Sequence, residues 1–258
     1  APAIKKADIG IAMGITGTDV AKNTAEVILT DDNFATIVNA VEEGRIIYSN
    51  IKKFVAYLLS CNLGEVLIVL ISILMNLPVP LIPIQLLWLN LVTDSFPALA
   101  LGVERGEADI MNEPPRDPDE PILDTEIKIT VAIQSIAITV ATLLAYFVGL
   151  KWYGQGEGLG HARTMAFSAL IICELLRAYT SRSIDKTVFE IGVFTNKKLV
   201  LATLFSFLLM LIVIYVPVLN DAFGLMDLGP KEIAVVIGSS LIPLVAGEIQ
   251  KKVRFKKK

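Results

Sequence analysis

Six apolar runs, each close to the ~20 residues a bilayer crossing needs, constrain this chain more than any other feature. They lie at about 54–77, 84–101, 127–150, 164–181, 197–216 and 231–249. Hydrophobic residues make up 54% of the 258, against ~45–50% for a soluble domain even with glycine counted. A bundle of six transmembrane helices is therefore expected, in contact with the lipid bilayer. Charges are segregated between the runs and in the first fifty residues, so the formal net charge of -3 says little. The basic residues form no separate domain, and no nucleic-acid partner is expected. Their one dense cluster is the tail Lys251, Lys252, Arg254, Lys256, Lys257 and Lys258.

Residues 1–33 read differently, as soluble α/β structure. Asp8 to Gly14 has the pattern of a short strand ending in glycine, and Val27 to Thr30 that of another. Between them, Thr16, Thr18 and Asp19 offer N-caps for a helix over 20–26. One strand pair cannot bury a core, so this piece is expected to be the tail of a larger domain. The abrupt start at Ala1 fits the same expectation. From Phe34 the pattern turns helical and amphipathic. No proline interrupts it before Pro78, which predicts one helix running from the polar segment 34–53 into the first apolar run, a rod of about 65 Å. The competing arrangement is two helices with a break near Gly44.

The loops alternate in charge. Connections after the second and fourth runs carry Arg105, Arg116 and Lys128, then Arg182, Lys186, Lys197 and Lys198. Lys52 and Lys53 precede the first run, and the basic tail follows the last. The excess of Lys and Arg on one side places both termini in the cytoplasm. The proline-rich loop 102–124 is then an ordered cytoplasmic connector, and the glycine-rich loop 153–161, which holds His161, is external. Cys61 and Cys173 fall inside apolar runs and are expected as buried, reduced thiols, with a disulfide or redox role as the alternative.

Polar residues break three of the runs. Asn62 and Glu65 stand one helical turn apart in the first, and Asn90, Thr93 and Asp94 share the second. Glu174 and Arg177 lie one turn apart in the fourth. A carboxylate at the bilayer centre costs roughly 2.5–3.5 kcal/mol on insertion scales, and chains that carry one generally use it. Hard oxygens without a His or Cys cluster suit Ca²⁺, Mg²⁺, Mn²⁺ or alkali ions. Pro97 removes an N–H just past Asp94, which weakens the helix beside its ligands. The structural alternatives are interhelical hydrogen bonding by Asn62, Asn90 and Thr93, and an ion pair between Glu174 and Arg177.

In this order, these residues resemble the P-type cation-transporting ATPases, above all the sarco/endoplasmic-reticulum type of calcium pump and its bacterial relatives. Ala1 to Ala7 resembles the continuation of the family's G-D-G-x-N-D-A-P-A-L motif. Ile9 to Gly14 and Asp31 to Phe34 resemble the end of its phosphorylation domain. Gln85 to Asp94 and Asp109 to Arg116 are the most specific matches. The resemblance implies the tail of a cytoplasmic phosphorylation domain over 1–33, a stalk helix over 34–53 and helices five to ten over 54–258. It implies metal ligands at Asn62 and Glu65 of the fifth helix, Asn90, Thr93 and Asp94 of the sixth, and Glu174 of the eighth. Asn90 points away from the sodium/potassium branch, and Glu65 away from the plasma-membrane and secretory-pathway calcium pumps. Arg177 is a departure: it either tethers Glu174 and reduces the number of ions carried, or acts as a built-in counter-ion when the site empties.

The resemblance also implies calcium as the transported ion, proton countertransport, ATP and Mg²⁺, and a multi-pass position in the cell membrane. The family's D-K-T-G-T phosphorylation motif is not in this sequence, nor are its nucleotide and actuator domains and first four helices. The chain is accordingly expected to work as part of a longer polypeptide and to be inactive by itself. Two rivals remain: a pump of the same family for Mn²⁺ or Na⁺, and a cation channel or secondary transporter without ATPase activity.

Overall fold

The computed structural model describes residues 1–107, 109–117, 120–156 and 158–255, without the side chains of Arg254 and Phe255. Pro118 of the proline-rich loop and the basic tail from Arg254 onward lie outside the described residues or side chains. The chain divides into two compact units, one of residues 1–49 with 106–115 and the other of residues 50–105 with 116–258.

In the first unit, α1 (Pro2–Lys6) precedes β1 (Ile11–Met13), α2 (Asp19–Thr24) and β2 (Val27–Leu29). The two strands are parallel, with Ile11 opposite Val27. Thr18 caps α2 by accepting from the Ala21 N–H at 3.3 Å, as its position before the helix predicts. The turn after β2 closes on Asp32, at φ 50°, a conformation that Asp tolerates better than most residues. Its carboxylate accepts from the Ile15 N–H at 2.8 Å, the Thr16 N–H at 2.7 Å and the Thr16 hydroxyl at 2.6 Å. The Thr16 hydroxyl and then the Ile15 amide hold the Asp32 carboxyl at about 2, below its usual 3.8. A depressed acid stabilises the folded turn fully above about pH 4, and the contribution is lost as pH falls toward the folded value. Amide-exchange protection of Ile15 and Thr16 is expected to drop over that window, and Asp32→Asn to be flat across it. In the same unit, the Arg45 guanidinium donates to the carbonyls of Ile110 at 2.9 Å and Glu113 at 2.8 Å. Both carbonyls belong to the loop motif 109–116.

Helix α3 (Ala35–Leu74) is continuous through Gly44, so the single-rod expectation holds and the break does not occur. It stops three residues before the expected end because Asn76 turns to φ 54° and the Leu77 N–H bonds the Ser72 carbonyl at 2.9 Å. The rest of the second unit is helical. It comprises α4 (Pro83–Trp88), a π-helical turn over Leu89–Thr93, α5 (Ser95–Gly102), α6 (Thr125–Tyr153), α7 (Leu159–Thr180), α8 (Val188–Ile191), α9 (Lys197–Tyr215), α10 (Pro217–Phe223) and α11 (Pro230–Phe255).

Among the described residues, six helical segments are long and apolar enough to cross a membrane: Ala35–Leu74, Pro83–Gly102, Thr125–Tyr153, Leu159–Thr180, Lys197–Tyr215 and Pro230–Val253. The protein is a mainly α-helical, multi-pass membrane protein. One local expectation needs correction. His161 is not in the loop: α7 starts at Leu159, and the His161 ring stacks on Tyr153 at 4.3 Å. Pro243 lies inside α11, which runs on to Phe255; the lost hydrogen bond is tolerable in a packed membrane helix. Pro217 does separate two helices, standing first in α10 just past the end of α9.

The bundle centre is α7, which packs on α6, α9 and α11. Small residues permit this. A Cβ on Gly149 of α6 would stand 2.6 Å from the Ala162 Cα of α7, so backbone faces backbone there. Gly149→Val is therefore expected to destabilise the bundle by roughly 1–3 kcal/mol, the usual cost of overpacking, read as a lower melting temperature. Gly64 of α3 meets Ile138 of α6, where a Cβ would lie 3.1 Å from Cγ2. Beside it, the Ser135 hydroxyl donates to the Ser60 carbonyl at 3.1 Å.

A polar node ties the ends of the helices together. The Glu104 carboxylate, just past α5, receives Arg182 Nε at 2.8 Å and Nη2 at 3.0 Å, plus Asn196 Nδ2 at 2.8 Å. Asn196 also caps α9 by accepting from the Leu199 N–H at 2.9 Å. On the α3 side, Asn50 Nδ2 donates to the Glu104 carbonyl at 2.7 Å.

Candidate metal centre

The π turn brings Thr93 and Asp94 of the second membrane segment to the bundle interior, while Asn90 at its start stays exposed on this chain. The Asp94 N–H reaches back five residues to the Leu89 carbonyl at 3.0 Å, which widens the helix where Asn90, Thr93 and Asp94 project. α-Helical bonding resumes at once, with the Ala98 N–H on the Asp94 carbonyl at 3.0 Å. Pro97 has no N–H to give the Thr93 carbonyl. The start of this segment is held by Gln85, whose side chain accepts from the Ile82 N–H at 3.1 Å and donates to the Phe223 carbonyl at 2.9 Å.

Asp94 is buried against α3, where Tyr57 donates its hydroxyl hydrogen to Asp94 Oδ1 at 2.9 Å. Its other oxygen has no hydrogen-bond partner. Two turns along α3 from Tyr57, Glu65 accepts from Asn90 Nδ2 at 2.9 Å through Oε2, and its Oε1 is likewise unpartnered. Glu174, from α7, is fully buried with neither oxygen bonded. Thr93 is buried with its hydroxyl unpartnered too. Buried polar atoms are normally satisfied, so the four unpartnered carboxylate oxygens and the hydroxyl, carried on three helices, are candidate oxygen ligands for a cation.

Two predicted residues stand apart. Asn62 is exposed on the surface of this chain, and its amide donates back to the Leu58 carbonyl of its own helix at 2.8 Å. Being one residue past Cys61, it is rotated about 100° off the Tyr57–Cys61–Glu65 face. Arg177 is buried but makes no ion pair with Glu174. Its guanidinium donates to the Ser60 hydroxyl at 3.3 Å and the Thr180 hydroxyl at 3.0 Å. The Glu174–Arg177 ion pair considered from the sequence is therefore not formed.

Two residues beside these acids were not read from the sequence as part of the site. Tyr57 orients Asp94. Cys61, a free and fully buried thiol, has its Sγ within 4.8 Å of an oxygen of Asp94 and one of Glu174. The signal available was spacing: Tyr57, Cys61 and Glu65 recur every four residues and share one helix face. Cys173 is also a free buried thiol but turns toward the Ser240 carbonyl at 4.0 Å.

Residues 78–253 match the family model described as cation transporting ATPase, C-terminus. The chain is 47% identical over 251 residues to a calcium-transporting ATPase of Bacillus subtilis (strain 168), an alignment that covers 96% of this chain and 28% of that protein. Calcium-transporting ATPase 1 of Bacillus cereus is 44% identical over 264 residues, with 97% and 30% covered. The human calcium-transporting ATPase type 2C member 1 is 38% identical over 253 residues, with 98% and 27% covered. The chain thus spans less than a third of the length of these relatives.

Proposed function

The chain belongs to the cation-transporting ATPases, and on that premise we propose that it is the ion-binding membrane portion of an ATP-driven calcium pump. The observation that carries this reading is the set of orphan oxygens on Glu65, Asp94 and Glu174, buried between three helices. Calcium takes ~6–8 oxygen ligands in flexible geometry. The four unpartnered carboxylate oxygens, the Thr93 hydroxyl and the Asn90 amide oxygen reach the lower end of that demand, and the Glu65 oxygen now held by Asn90 can add to it. The names of the bacterial and human relatives support calcium as the cargo.

In this reading Asp94 is the central ligand. Tyr57 fixes one of its oxygens and leaves the other for the ion. Glu65 and Glu174 approach from α3 and α7, and Asn90 orients Glu65 until an ion replaces the hydrogen bond. The π turn supplies a ladder that can rearrange without breaking the helix. When the ion leaves, protons carried inward on the same acids relieve the repulsion among them, and Arg177 adds a positive charge one helical turn from Glu174. Asn62 joins only if α3 turns about its axis or a helix outside this chain packs over it.

Residues 1–33 serve as the tail of the phosphorylation domain, 34–53 as the stalk and 54–258 as the transmembrane domain, with both termini cytoplasmic in the cell membrane. ATP and Mg²⁺ act through other parts of the longer polypeptide, so this chain alone is inactive. The test is ATP hydrolysis by the complete pump with Ca²⁺, Mn²⁺ and Na⁺ varied separately. Stimulation by micromolar Ca²⁺ is expected; stimulation by Mn²⁺ or Na⁺ alone would reassign the cargo.

A further inference from the structure

Cys61 has no assigned role in a calcium site, because a hard cation gains nothing from sulfur. Yet its Sγ and one oxygen each of Asp94 and Glu174 all lie within 4.8 Å of one another. All three side chains are buried, at 0%, 1% and 0% exposure. The second oxygen of Asp94 and both oxygens of Glu174 have no partner, so the carboxylates are available to a shared ligand. A tetrahedral zinc centre, with bonds of about 2.0–2.3 Å, sets ligand atoms roughly 3.5 Å apart; the larger Cd²⁺ sets them somewhat further apart, a spacing that modest side-chain rotation would reach from here.

We infer that Cys61, Asp94 and Glu174 form a mixed sulfur–oxygen site for soft divalent cations, with Cd²⁺ as the representative ion. The inference rests on the ion site proposed above, because the two sites share Asp94 and Glu174. Binding forms a metal–sulfur bond and releases the thiol proton to the buffer; no oxidation is involved. A soft ion held this way competes with the hard cargo and resists release, since sulfur bonds survive the loss of an oxygen ligand better than calcium's bonds do. The chain therefore makes its pump sensitive to thiophilic metals at the transport site itself.

The experiment titrates the complete, detergent-solubilised pump with Cd²⁺ at fixed free Ca²⁺. It compares wild type, Cys61→Ser, Cys61→Ala and Cys173→Ser. Two signals are read: inhibition of ATP hydrolysis, and the ultraviolet thiolate-to-cadmium charge-transfer absorption, which needs neither turnover nor calcium. The Cd²⁺ concentration for half-inhibition is expected to rise about tenfold or more in both Cys61 variants, judged against each variant's own calcium activation. The charge-transfer signal should lose one thiolate's share in those variants, while Cys173→Ser behaves as wild type. Equal signals and equal inhibition with and without Cys61 would overturn the inference. If Ca²⁺ failed to stimulate the wild type, the calcium reading would fall, and the charge-transfer comparison would still decide the cadmium site.

Discussion

Asp94→Asn in the complete pump is expected to lower apparent calcium affinity at least about 100-fold, a loss of roughly 2.7 kcal/mol. Asp94 is 1% exposed, with one oxygen on the Tyr57 hydroxyl and the other without a partner. Asparagine has nearly the same shape, so packing is preserved and only charge and one acceptor are lost. The same substitution is expected to raise the melting temperature of the calcium-free protein, because a neutral amide replaces a buried acid that must either carry a charge eased only by the Tyr57 hydroxyl or take up a proton. Calcium should then add little further stability to the variant, whereas it stabilises the wild type by mass action. The two effects have opposite signs. An acid with a purely structural role would lose stability and leave calcium affinity unchanged.

Arg182→Ala is expected to produce the largest loss of stability in the chain. The Arg182–Glu104 pair is two-pronged and buried, with side-chain exposures of 1% and 6%. Arg182 also donates to the Gly192 carbonyl at 2.7 Å and to the Thr195 hydroxyl at 2.6 Å. Removing one partner of a buried pair strands the other charge, at a cost of roughly 3–5 kcal/mol. For a chain of this size that lowers the melting temperature by roughly 6–20 °C. Burial acts to raise the Glu104 carboxyl, but the Arg182 and Asn196 bonds outweigh it and hold the group below its usual value. The pair's contribution is consequently present above the ordinary carboxylate range and fades on acidification toward the lowered value. Arg182→Ala should abolish that acid sensitivity. Arg182→Lys keeps the charge without the fork and should be intermediate. Adding Glu104→Gln to Arg182→Ala should recover part of the loss.

The sequence made the membrane helices legible because each apolar run is long, and Thr18 announced its helix by a local cap. The acids of the site stood out for a related reason, since a carboxylate in an apolar run is costly. Less visible was everything that depends on contact between helices. Tyr57 and Asp94 are 37 residues apart, and Glu104 and Arg182 are 78 apart. The helix face could have been read from Tyr57, Cys61 and Glu65, and would have turned Asn62 away from them. The π turn has only an indirect signal, a polar cluster followed by Pro97. Arg177 illustrates the remaining ambiguity: spacing alone suggested an ion pair with Glu174, whereas its guanidinium goes to Ser60 and Thr180.

Equilibrium binding of radioactive calcium to the complete protein, without nucleotide, tests the shared site most directly. Glu174 and Asp94 come from different helices, so only a common ion makes their substitutions agree. Saturable micromolar binding by the wild type is predicted, weakened at least about tenfold in Glu174→Gln and at least about 100-fold in Asp94→Asn. Wild-type binding by either variant would contradict a single centre built from these carboxylates.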